Sequence, residues 1–217
     1  MTGRWRISAI AVLAAAMMFA GGTTSGMAQS HAHVYLLRGL MNIFSLGMDS
    51  LGSELNRHGV YTTVDGYSDW QSLADGAAAR YKAGTEGPIV LIGHSLGADA
   101  VMEMAAYLGR KGIPVALVVP FDGTQSFAAS DNVARVLNLT QRDYAYMRRG
   151  PGFHGTLVNV NLDAAAGINH FNMEKNPRLQ DQTIARIAAI MDHPRAAATM
   201  QARSPSQLVA PAAGQIN

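Results

Sequence analysis

The stretch "PIVLIGHSLGADAVMEMAAYLG", residues 88–109, decides the fold. A short apolar run, "PIVLI", enters Gly93-His94-Ser95-Leu96-Gly97, and a helical pattern follows at once, with Val101, Met104, Ala105 and Leu108 on one face. A Gly-x-Ser-x-Gly string alone is weak evidence in a chain with 22 glycines. The context makes it specific: a strand, a sharp turn on Ser95 and an immediate helix. A serine on so tight a turn takes a strained backbone conformation that only small neighbours tolerate, and Gly93 and Gly97 supply that room. The turn also sets the Ser95 oxygen at a helix N-terminus, whose dipole and free amides favour the negative charge that develops in acyl transfer.

Working outward, apolar runs alternate with longer helical patterns from residue 33 onward. The spacing predicts strands at 33–38, 60–64, 88–93, 115–120, 133–139 and 156–162. Helices are expected at about 46–58, 70–83, 96–111 and 178–192, the last capped by Asn176 with Pro177 in its first turn. Alternation of this kind implies an α/β fold, one three-layer α/β/α domain with a mostly parallel sheet of about six strands. Two connections, 121–132 and 140–155, carry no helical pattern although parallel crossovers usually need a helix, so the order of the later strands stays open.

The ends read differently. Arg4 and Arg6 precede the apolar run "ISAIAVLAAAMMFA", and Gly26 and Ala28 offer a small-residue cleavage site, so residues 1–28 are expected to be a signal peptide. The run is shorter than the roughly 20 residues of a spanning helix. The domain is then 29–193. Residues 194–217, rich in Ala, Pro, Ser and Gln, are expected to form a disordered tail. Loss of two arginines and no acid would take the formal charge from +2 to zero, which leaves no nucleic-acid footprint. With no cysteine there are neither disulfides nor thiolate chemistry, and stability must come from packing. The expected setting is periplasmic or secreted, with no cofactor, no metal, no stable membrane insertion and a monomeric state. Cleavage after Ala28 would expose Gln29-Ser30-His31, a minor candidate for Cu(II).

A serine needs a base to act as a nucleophile at neutral pH. Of seven histidines, His31 and His33 precede or open the first strand, and His58 sits near a helix end. His94 should point away from Ser95, and His193 lies where the last helix exits. His170, in "GINHFNMEKN" between the last strand and the final helix, is the best placed, with His154 as the alternative. The acid should end a strand near Ser95. Asp122, after "VALVVPF", is favoured; Asp163 and Asp143 follow later strands and also obey the order serine, acid, histidine.

These features resemble the α/β-hydrolase superfamily over residues 33–192, and within it the compact, lid-poor esterases and thioesterases. The resemblance rests on "GHSLG" in its strand and helix, on "LLRGL" where the oxyanion loop belongs, and on a histidine after the last strand. The chain departs in reading Arg38-Gly39 where many members have His-Gly, and in lacking the first two strands of the full fold. The resemblance implies a minimal hydrolase fold and a serine hydrolase of carboxylic or thiol esters, acting on a small-molecule ester or thioester. Its site would be Ser95, His170 and Asp122, with backbone amides of Leu96 and Leu40 as the oxyanion hole. Met41 is the fallback there, and the Asn42 side chain an added donor. The alternatives are an acyltransferase with the same triad, or a catalytically silent envelope binding module on this fold. The apolar segment 40–51, with Phe44, Leu46 and Met48, is read either as an acyl-pocket wall or as a buried helix start, and Trp70 as a core anchor or a pocket wall.

Overall fold

The structure is a computed structural model, and it describes residues 32–40, 46–162 and 167–192. The reading of 1–28 as a signal peptide, the tail 194–217, and the candidates His31, Met41, Asn42, Phe44, Asp163 and His193 lie outside those residues. Among the described residues there are eight strands: β1 (His33–Arg38), β2 (Tyr61–Gly66), β3 (Ile89–His94), β4 (Leu117–Phe121), β5 (Ala128–Ala129), β6 (Arg135–Thr140), β7 (Arg148–Arg149) and β8 (Thr156–Asn161). Four helices accompany them: α1 (Leu46–Arg57), α2 (Trp70–Lys82), α3 (Leu96–Arg110) and α4 (Pro177–Asp192). Six strands form one sheet in the order β2-β1-β3-β4-β6-β8, every pair parallel.

The β-branched and leucine content of the strands is explained by burial on both faces. Alternate residues point to opposite sides. Val34, Leu36, Val90, Ile92 and Val119 pack with Met48, Leu51 and Leu55 of α1 and with Ile187 and Ile190 of α4. Tyr35, Leu37, Ile89, Leu91 and Val118 pack on the other side with α2 and α3. The result is a three-layer α/β/α domain. Pro177 opens α4, and the Asn176 side-chain oxygen accepts from the amides of Arg178 (3.0 Å) and Leu179 (3.3 Å), which caps the helix as its sequence implies.

The two connections without a helical pattern contain no α-helix. Between β4 and β6, and between β6 and β8, the chain runs in extended segments that pair with one another as the short parallel β5 and β7, with a 3-10 turn at Asp143–Ala145. Ala129, Met147 and Phe153 from these segments join the α2–α3 side of the core. All connections of the strands from β2 onward to β8 therefore lie on one face, as crossovers of a single hand require. Backbone polar groups that a helix would satisfy internally are met by strand side chains instead. Asn138 donates to the Ala145 carbonyl at 3.0 Å, and Asn159 exchanges bonds with both the amide (2.9 Å) and the carbonyl (3.0 Å) of Met147.

Helix α3 sits unusually close to the sheet at its first turn. A methyl group on Gly97 would overlap the Leu37 carbonyl oxygen, and one on Gly93 would overlap the Gly97 carbonyl. These contacts are backbone to backbone, so no side chain can move aside. Gly97→Ala should therefore lose about 3 kcal/mol or more, the upper end of overpacking costs, read as a lower urea midpoint than the wild type.

Candidate active site

Three strand ends meet at the carboxyl edge of the sheet, where open α/β sheets form their crevices. Ser95 joins β3 to α3 with φ 57° and ψ −123°, a left-handed conformation rare for a residue with a side chain, and its amide donates to the Phe121 carbonyl at 2.9 Å. Asp122 follows β4 immediately and also has a positive φ, 47°. His170 lies in the loop between β8 and α4. The His170 Nε2 is 3.1 Å from the Ser95 Oγ, and its Nδ1 is 2.7 Å from the Asp122 Oδ2. Ser95, His170 and Asp122 are thus brought together in one hydrogen-bonded line.

Asp122 is 1% exposed. Burial alone would raise its pKa, but bonds from His170, the Gln141 amide (3.0 Å) and the Thr140 hydroxyl (2.9 Å), with the Arg142 guanidinium 3.6 Å away, hold it below the usual carboxylate value. Thr140 and Gln141 were not anticipated from the sequence; they reach Asp122 only because β6 lies beside β4. Gln141 also donates to the Ile168 carbonyl at 2.6 Å, tying the His170 loop to β6. Within that loop, "NHFN" forms a side-chain-capped turn: Asn169 Oδ1 accepts from the Phe171 amide (2.9 Å), and Asn172 Oδ1 from the Asn169 amide (2.7 Å).

The other candidates separate from this cluster. His154 is exposed and precedes β8, at the amino edge of a parallel sheet and so at the opposite end from Ser95. Asp143 is exposed and accepts from Asn161 at 2.9 Å. His33 is buried against Glu86 (2.5 Å) and Thr63 (2.9 Å), and His58 pairs with Glu54 on α1 at 3.1 Å. His94 points away from the Ser95 side chain; its Nε2 lies 2.8 Å from the His170 carbonyl oxygen, and burial pushes its pKa down to about 4.

Leu96 opens α3 next to Ser95, and Leu40 lies two residues beyond β1, the neighbour of β3, with 55% of its surface exposed. The apolar segment divides: Met48 and Leu51 are buried in the core, while Leu46 is exposed. A cleft of about 300 Å³ runs beside Leu96, walled by Tyr67, Trp70, Asp99, Glu103 and Gln125. Trp70 does both things envisaged for it, packing on the core, edge-on to Tyr107 at 5.7 Å, and lining this cleft. Met147 and Phe153 turn into the core.

Beneath His170 sits an acid that the sequence did not single out. Glu174 is fully buried; its carboxyl oxygens accept no well-formed hydrogen bond, and its nearest cation is the Lys175 ammonium, 3.4 Å from Oε1. Burial holds its pKa above the usual value. A carboxyl whose folded pKa is raised stabilises the fold fully below its unfolded pKa, near 4.5, and loses that contribution as pH rises through the folded value. Glu174→Gln should therefore melt higher than the wild type at pH 8, with the difference closing as the pH falls to about 4, measured by thermal denaturation across pH.

The model of the thioesterase domain family matches residues 49–207. No curated protein matches the chain. Among solved structures, a protein assigned to hydrolases of the alpha/beta superfamily from Xanthomonas campestris pv. campestris is 14% identical, with 75% of this chain and 99% of that one covered and a TM-score of 0.46. An acetyl xylan esterase is 14% identical over 75% of this chain and 99% of its own, with a TM-score of 0.42. The NocB thioesterase domain from the nocardicin cluster is 17% identical over 76% and 96%, with a TM-score of 0.40. Since the family match spans well over half of the sequence, the chain belongs to the thioesterase domain family and is an ester-cleaving hydrolase.

Proposed function

We propose that the chain is a serine hydrolase of carboxylic or thiol esters that works through an acyl-enzyme. The observation that supports this best is the line from Ser95 Oγ through the His170 ring to Asp122, built on a positive-φ turn at a helix N-terminus. Ser95 attacks the ester carbonyl while His170 Nε2 takes its proton. Asp122, held ionised by its donors, fixes the tautomer with the proton on Nδ1 and stabilises the imidazolium that forms. The amides of Leu96 and Leu40 receive the oxyanion. His170 then passes its proton to the departing alcohol or thiol, and water repeats the sequence on the acyl-enzyme.

The cleft beside Leu96 is where we place part of the substrate. Among the described residues no helix is long and apolar enough to cross a membrane, and we propose a monomer acting outside the cytoplasm after loss of residues 1–28. That placement rests on the charged, apolar and small-residue pattern of the N-terminus.

A fluorophosphonate probe should label Ser95, and Ser95→Ala should neither label nor turn over p-nitrophenyl esters or acyl thioesters. Asp122→Asn should fold normally yet lose roughly 10³- to 10⁴-fold in kcat, because the wrong tautomer is then held towards Ser95. A folded wild-type protein that fails to label would instead favour a binding module. Because the segments after β4 and β6 pack as core, activity on soluble esters should show no jump when substrate passes its solubility limit; a sharp rise at an emulsion interface would show a cover over Ser95.

A further inference from the structure

We propose that His94 is a positioning residue for the base: it fixes the main chain of His170 so that the imidazole meets Ser95. This rests on the reading of Ser95 and His170 as nucleophile and base. The geometry starts from the strand. Val90 and Ile92 face the α1–α4 side, so His94, two residues on, faces that side as well, while the turn carries Ser95 to the crevice. The loop that returns from β8 to α4 passes on the same side. His94 Nε2 therefore donates to the His170 carbonyl at 2.8 Å while the neighbouring Ser95 Oγ lies 3.1 Å from the His170 ring.

Two consecutive residues of one turn thus grip a single residue of a distant loop, one at its main chain and one at its side chain. The bonds among Asn169, Phe171 and Asn172 order the loop internally but do not locate it against β3. Gln141 ties its Ile168 carbonyl to β6. The His94 bond is what links the loop's main chain to the strand that bears the nucleophile. His94 is 1% exposed, so little water competes for its Nε2–H. Among the groups facing it are the His170 ring, 4.9 Å between centroids, and the buried Glu174 carboxyl, 3.8 Å from Nε2, with the charges of Asp122 and Lys175 also acting on it. A displacement of the base by about 1 Å costs on the order of 100-fold in rate, so a bond of this kind acts on catalysis more than on substrate affinity.

The test compares side chains that differ in reach. The terminal amide of glutamine can occupy the place of Nε2, whereas that of asparagine falls short near Nδ1. With p-nitrophenyl acetate, His94→Asn should lose roughly 10- to 100-fold in kcat with KM nearly unchanged. The rate of fluorophosphonate labelling should fall in parallel, and His94→Gln should recover most of both losses. If His94→Asn does not fold, His94→Met, of similar length but without a donor, takes its place. Equal rates for the glutamine variant and the asparagine variant, or the methionine variant in its place, whether both near wild type or both slow, would overturn the positioning role. A wild-type protein that neither labels nor turns over ester would sink the triad reading instead, which keeps the two failures distinct.

Discussion

The close approach of the first turn of α3 to β1 is the constraint on which the site depends. Gly97 lies against the Leu37 carbonyl and Gly93 against the Gly97 carbonyl, so the helix starts with no spacer after the strand. A chain that turns this sharply must pass through a left-handed residue, and Ser95 takes that position at a cost on the order of 1–3 kcal/mol. The strain persists because its surroundings fix it: the Ser95 amide is bonded to the Phe121 carbonyl of β4, and the helix that begins at Leu96 buries its apolar face against the sheet. With a looser turn the hydroxyl would still exist, but it would not stand at the crevice facing the loop after β8.

The same bond couples the nucleophile to the acid. Phe121 precedes Asp122, whose own backbone is left-handed and whose amide donates to the Leu139 carbonyl of β6 at 2.8 Å. Adjacent strands β3, β4 and β6 therefore hand off from one to the next at their carboxyl ends. Ser95 leans on β4, Asp122 on β6, and Thr140 and Gln141 at the end of β6 return donors to Asp122. The parallel register of three neighbours is what turns three separate strand ends into one site.

What was legible in the sequence follows from this logic. Strands buried on both faces are dense in Val, Ile and Leu, and α3 and α4 carry apolar residues at helical spacing, so their positions could be read within a residue or two. Ser95 announced itself through two glycines whose only explanation is backbone contact. The β5 and β7 segments were not legible, because their apolar anchors, Ala129, Met147 and Phe153, are isolated in sequence. The asparagines that replace helical bonding, Asn138 and Asn159, look like ordinary polar strand residues until the segment they serve is placed above them. Thr140, Gln141, His94 and Glu174 belong to the same class: the first three matter through a partner 18 to 76 residues away and Glu174 through its burial, neither of which has a local pattern. The acid could be ranked by strand order, with Asp122 after the strand that follows Ser95 and so ahead of Asp163 and Asp143.

The buried titratable groups around His170 are sorted by charge in a way that suits a base. Asp122 accepts three hydrogen bonds and stays ionised next to Nδ1, where a positive ring gains from it. Glu174, equally buried and with only the Lys175 ammonium 3.4 Å from one of its oxygens, has its pKa shifted the other way, upward, because burial outweighs that ion pair. His94 is held neutral by burial. Were it protonated, its ring 4.9 Å from His170 would oppose the imidazolium by about 3 kcal/mol at an effective dielectric of about 20, roughly a hundredfold in the barrier to proton uptake. Burial of His94 therefore does two things at once in the proposed mechanism: it keeps water from the ring that donates to the His170 carbonyl, and it keeps a second positive charge away from the residue that must become positive.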